Sequence, residues 1–320
     1  MTQSRQLNFA LLFPGESMNS GLGQHFVDAA DPRDLRWAQV EKRTGDDERF
    51  RSMLGRRAER LKGVLPAFDA KHVDLRPLCS PVRDQGLFES CVGFSLAALV
   101  EFLLRSRVDR NTTTCSPHFI WYLARLFEFN SALNVGAQIR DGMRVLAHVG
   151  CSPEALDPYD PIAFMPPPED VRHYEVEALL NTAAARGPSQ QAIAAAAKYV
   201  LDGYYRLESL DDYKQCLSRG FGFVMSWPVY ASALPRALEE GYVDVPKPDE
   251  EPVASHTLFV CGYVEQDKEP GGGYLICKGS QGFASRRPWL FHGPVCVRPA
   301  AQGRSPTERR VDRRRPGRVI

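Results

Sequence analysis

Residues 73–95 read VDLRPLCSPVRDQGLFESCVGFS. Pro77 and Pro81 mark residues 72–84 as extended chain. From Ser90 the pattern changes. Phe94, Leu96, Leu99, Val100, Phe102, Leu103 and Leu104 cover almost every face of a helix running to about Leu104. Such a helix must be buried on most sides. Cys91 stands at its start. A cysteine taken alone is more often a packed core thiol. At a helix N-terminus, however, unpaired N–H groups and the helix dipole favour a thiolate. The choice between the two depends on what the rest of the chain supplies.

Helical signals fill the first half of the chain. Ser116-Pro117 opens a second helix by the cap-then-proline rule. Asp141 to about His148 forms a third, ending at Gly150. Residues 157–170 are a proline-rich loop, and the alanine-rich stretch 176–201 is helical with a break at Gly187-Pro188. Thereafter YYRLES, GFVMSWPVY, HTLFVCGYV and GYLICK read as short strands. Between the first two, Ser209 caps a helix over residues 210–218. Helices first and strands second imply an α+β protein of two lobes. Residues 34–63 suit one or two exposed helices.

The chain has 320 residues, 43% hydrophobic and 25% charged, with a formal net charge of +1. That is ordinary globular composition and names no partner by itself. The charge is uneven, since residues 284–320 hold ten arginines against Glu308 and Asp312. No apolar run is long enough to span a bilayer. The N-terminus lacks a secretion-signal pattern. Eight cysteines are scattered without CxxC pairs or zinc-like spacing. They read as reduced thiols in a cytoplasmic protein, and no metal, nucleotide or organic cofactor motif is present.

A thiol at Cys91 becomes a nucleophile with two helpers. A histidine can take its proton, and a nearby donor can hold the oxyanion formed when sulfur attacks a carbonyl. Gln85, six residues earlier, is such a donor. The stretch 73–95 resembles the opening of papain-like cysteine peptidases: an Asp-hydrophobic-Arg run, Pro-Val, Gln-Gly, then Ser-Cys leading into a helix. SHTLFVCGYV is similar to the histidine strand of that family, and GYLICKGSQG to the strand and turn that follow it. The likeness covers roughly residues 72–283, and its middle is nearer to bacterial members.

The resemblance implies a papain-like two-lobed fold. A helical lobe covers about 85–200, a β-barrel-like lobe about 201–283 plus 71–84, and the active-site cleft lies between them. It implies Cys91 as nucleophile, His256 as its catalytic partner and Gln85 at the oxyanion. It implies a peptide or protein substrate held as an added strand, with Gly136 offering backbone contacts. Trp227 is expected in the core or lining a side-chain pocket. The remaining histidines, His25, His72, His118, His148 and His173, are expected to be structural or superficial, and Cys261 and Cys277 to pack strands.

Four positions depart from the family pattern. Phe88 replaces a disulfide cysteine, and Val92 the aromatic after the nucleophile. Gly279 stands where an asparagine orients the histidine, and Gln281 where a tryptophan shields that bond. Ser280 or Gln281 is then the candidate substitute partner. The expected activity is peptide hydrolysis, weakened by these losses. Alternatives are an inactive papain-fold protein that binds peptides or proteins, and a Cys–His deamidase or acyltransferase. Residues 1–70 read as a structural extension or an inhibitory pro-segment lying in the cleft. Residues 284–320 read as a disordered arginine-rich tail, or as the product of a frameshift between about residues 282 and 287. On the second reading, codons shifted by one base would encode a Gly-Tyr-Phe strand that closes the second lobe. Neither nucleic acid nor membrane is an expected partner.

Overall fold

The computed structural model describes residues 34–37, 71–106, 112–159, 172–268, 272–280 and 293–294, with isolated helical positions between 39 and 59. Most of the stretch 34–63 expected to be helical, the proline-rich loop beyond Tyr159, His25, Gln281 and most of the arginine-rich tail lie outside these residues.

The central helix, α1 (Cys91–Arg105), is buried on nearly every face, as its apolar coverage requires. Around it pack α2 (Pro117–Phe127) and α3 (Ile139–His148). Two glycines permit this closeness. A Cβ at Gly93 would meet the Pro117 carbonyl oxygen at 2.3 Å, and one at Gly142 would meet Leu96 at 2.2 Å. The Ser116 hydroxyl accepts the Phe119 N–H at 3.0 Å, with Pro117 in the first helical position, so α2 starts where its sequence signal lies. Helices α4 (His173–Ala184) and α5 (Gln190–Ala196) flank the break at Gly187-Pro188. Helix α6 (Leu210–Ser218) opens with a capping box between Ser209 and Asp212.

The sheet is antiparallel and built on one long strand. β3 (Ala254–Glu265) pairs along one edge with β1 (His72–Asp74) and β2 (Phe223–Val229), and along the other with β4 (Gly273–Lys278). The β3–β4 register shifts between Val260 and Gly262. Residues Phe259 to Tyr263 are almost fully buried, so this strand reads as a continuous apolar run rather than an alternating one. Helix α7 (Leu234–Glu240) follows β2 and was not anticipated. The expected strand at YYRLES is absent; Arg206 makes only an isolated bridge to Arg36. The backbone there is used by the N-terminal segment instead. Trp37 is buried, and its N–H bonds the Arg206 carbonyl at 2.9 Å. Two tail residues, β5 (Gly293–Pro294), pair with Tyr274 and Leu275 on the free edge of β4. No described helix is long and apolar enough to cross a membrane.

Candidate active site

Cys91 is the first residue of α1 and is 9% exposed. The residue before it, Ser90, sits at the N-cap without capping the helix. Its hydroxyl instead pairs with the Tyr159 hydroxyl at 2.5 Å, and Tyr159 in turn donates to the Gln85 carbonyl at 2.9 Å. One tyrosine from the α3–α4 connection thus fixes both ends of the turn 85–90. Around it Phe88, Phe94 and Trp121 form an aromatic cluster, with Phe94 and Tyr159 edge to face at 4.7 Å. Phe88, which stands in place of a disulfide cysteine, therefore holds this turn by packing.

Strand β3 reaches the same point from the other side. Ser95, one turn along α1 from Cys91, donates to the Thr257 carbonyl at 2.9 Å. Thr257 also hydrogen-bonds the Cys91 thiol. His256 is the adjacent residue, so the chain brings His256 and the thiol to one end of α1. Across the sheet His256 is in register with Trp227, whose indole N–H is buried without a hydrogen-bond partner among the described residues. Trp227 is 7% exposed and belongs to the core.

Gln85 is buried and bracketed. Its side-chain N–H donates to the Phe88 carbonyl at 2.8 Å, and its side-chain oxygen accepts the Ser280 hydroxyl at 2.5 Å. Its backbone N–H bonds the Ser280 carbonyl at 2.7 Å. These bonds fix which end of the amide is nitrogen, and the second Nε2 hydrogen is left for another acceptor. Ser280, one of the two candidate substitutes for the missing asparagine, bonds to Gln85. Gly279 lines a cavity of about 10 Å³ with Arg83, Phe94, Ser95, Ala98 and Lys278, room for about one water.

Electrostatics differ from the sequence expectation. A helix N-terminus should lower the thiol pKa. Burial pushes Cys91 up instead, and the Glu89 carboxylate adds to the rise; hydrogen bonds from Thr257 and from Val92 oppose it without prevailing. Burial also takes His256 down to about 4. Both directions favour a neutral thiol beside a neutral imidazole. Glu89 itself, part-buried, is pushed up to about 7 by desolvation.

The chain aligns with an uncharacterized peptidase C1-like protein of Acanthamoeba polyphaga mimivirus at 27% identity over 206 residues. That alignment takes in 63% of this chain and 61% of the viral protein's length. No family model matches the chain. Its structure superposes on xylellain, a cysteine protease from Xylella fastidiosa, with a TM-score of 0.62 and 26% identity, over 84% of this chain and 87% of that one. The fold is papain-like. Procathepsin B from Trypanosoma congolense shares it at a TM-score of 0.50 and 16% identity, over 72% of this chain and 73% of that one.

Within this papain-like frame the other sequence candidates sort by burial. Gly136 is part-buried and has nothing within 4 Å of where a Cβ would stand, so open space lies on that side of it. Cys261 and Cys277 are buried in strands, the latter pushed up to about 12 by desolvation. His72 and His148 are exposed. His118 is buried with Nδ1 2.9 Å from Asp157, a structural pair. Sequence reasoning missed Tyr159, Asn134 and Glu89. Asn134 accepts the Glu89 N–H at 3.0 Å and donates to the Leu87 carbonyl at 3.3 Å. Nothing in a lone Asn or Tyr signals such a contact across the fold.

Proposed function

We propose that the protein is a cysteine peptidase that hydrolyses peptide bonds through Cys91. The observation that carries this reading lies at the start of α1: the turn 85–90 runs directly into Cys91, and Thr257, next to His256 on β3, hydrogen-bonds the Cys91 thiol. The Cys91 sulfur attacks the carbonyl carbon as His256 takes the thiol proton. The Cys91 backbone N–H and the free Nε2 hydrogen of Gln85 hold the oxyanion. His256 passes the proton to the leaving amine, the C–N bond breaks and a thioester remains. Water, deprotonated by His256, attacks that thioester and releases the acid and the thiol. A substrate lying extended over Gly136 would present its carbonyl to this site.

Burial raises the thiol and lowers His256, which favours a neutral resting thiol and imidazole, so His256 takes the proton in the course of the reaction. Gly279 supplies no side chain to orient the imidazole, which sets a lower rate than a complete triad would reach. Incubation with a peptidyl epoxide, followed by intact-mass analysis, tests the thiol. One adduct is expected on the parent chain and none on Cys91→Ala. Absence of any adduct on folded protein favours the second reading, a peptide-binding protein on a retired site. Gly279, and the Ser280 hydroxyl bonded to Gln85, are the features that favour it.

A further inference from the structure

Glu89 lies two residues before Cys91, and a carboxylate is costly there. It is part-buried, and among the described residues no side chain pairs with its oxygens. Among the described residues no positive group offsets its desolvation, which raises its pKa. Its charge is nonetheless felt at the neighbouring sulfur, where it disfavours the thiolate. A buried charge without a partner normally neutralises or is replaced. Here the main chain that carries it is fixed by side chains from across the fold. Asn134 clamps the Glu89 N–H and the Leu87 carbonyl, and Asn134 is itself fixed by Asn181 through a 2.6 Å bond to its N–H. Two residues beyond Asn134, Gly136 has open space on the side where a Cβ would stand. The same loop therefore carries the clamp for Glu89 and the open side of Gly136.

We infer that Glu89 is a specificity-determining residue that receives a basic substrate side chain, arginine or lysine, next to the scissile bond. This rests on the peptidase reading above. A peptide extended over Gly136 with its carbonyl at Cys91 passes the clamped turn, and a cation there supplies the missing counter-charge. Seating that cation also cancels the repulsion Glu89 exerts on a Cys91 thiolate. A basic substrate would thus raise the reactivity of the thiol as it binds.

The test compares three peptidyl acyloxymethyl ketones that differ only beside the reactive ketone: arginine, its neutral isostere citrulline, and glutamate. Labelling rates of the full chain are read by intact mass at pH 8, where Glu89 is ionised. The arginine probe is expected to label Cys91 about tenfold or more faster than citrulline, with glutamate slowest. Glu89→Gln should bring the arginine-to-citrulline ratio close to one, and Glu89→Lys should make glutamate the faster probe. Thermal melting confirms that each variant is folded. Equal arginine and citrulline rates on the parent chain, or a preference that persists in Glu89→Gln, would overturn the inference while leaving the peptidase reading standing. No Cys91 adduct with any probe would overturn both.

Discussion

At the residue scale, burial and helix position pull Cys91 in opposite directions, and burial prevails. The thiol is 9% exposed and flanked by a carboxylate, and burial takes the His256 imidazole down to about 4. Between pH 6 and 8 the imidazole then stays neutral and lends no charge to the sulfur. The thiolate fraction should rise steeply across that range, by less than about tenfold per pH unit because Glu89 ionises there and opposes the thiolate. Iodoacetamide alkylation of Cys91, followed by peptide mass mapping, should therefore accelerate by more than about tenfold but less than about 100-fold from pH 6 to pH 8. A rate already level from pH 6 would mean a resting thiolate–imidazolium pair, contrary to this account. Cys91, Gln85 and His256 stand out in the sequence as candidates because each sits in a local pattern. The sign of the thiol's pKa shift does not, because it depends on Glu89, Thr257 and the burial made by distant segments.

At the element scale, the two sides of the site are tied by a buried ionic knot. Glu101, 1% exposed in the middle of α1, accepts the Ser80 hydroxyl, an Arg83 N–H at 3.0 Å and the Cys115 backbone N–H at 2.9 Å. Lys278 at the end of β4 donates to the same Ser80 hydroxyl at 2.7 Å. The knot joins helix, preceding loop and sheet directly behind Gly279. Glu101→Ala leaves Arg83 and Lys278 without their shared anion and should cost about 3–5 kcal/mol. Urea unfolding measures it; a loss under 1 kcal/mol would show that the knot is not what fixes α1 against β4. The helices were legible from caps and period: Ser116-Pro117, the Gly187-Pro188 break and Ser209 all fall at observed boundaries. Residues 204–209 misled, because aromatic composition suits a strand, whereas the backbone there receives residues 34–37. Helix α7, which carries Pro235 in its first turn, had no counterpart in the sequence reading.

At the scale of the whole molecule, the papain-like arrangement follows from one strand. β3 gathers β1, β2 and β4 around itself and delivers His256 to the start of α1. That long-range meeting was legible only through the resemblance carried by residues 73–95 and 255–264, since no local pattern dictates which helix end a strand will reach. The edge of β4 is met by Gly293–Pro294, a pairing that the arginine-rich composition of the tail did not announce. The central claim is hydrolysis of a peptide bond by Cys91. Its most direct test is incubation of the full chain with a defined peptide mixture in water enriched in oxygen-18, read by mass spectrometry. Expected are new C-termini, each carrying one heavy oxygen, that form with the parent chain and vanish with Cys91→Ala. Intact peptides, or products that show ammonia loss or a transferred acyl group without a new C-terminus, would contradict it.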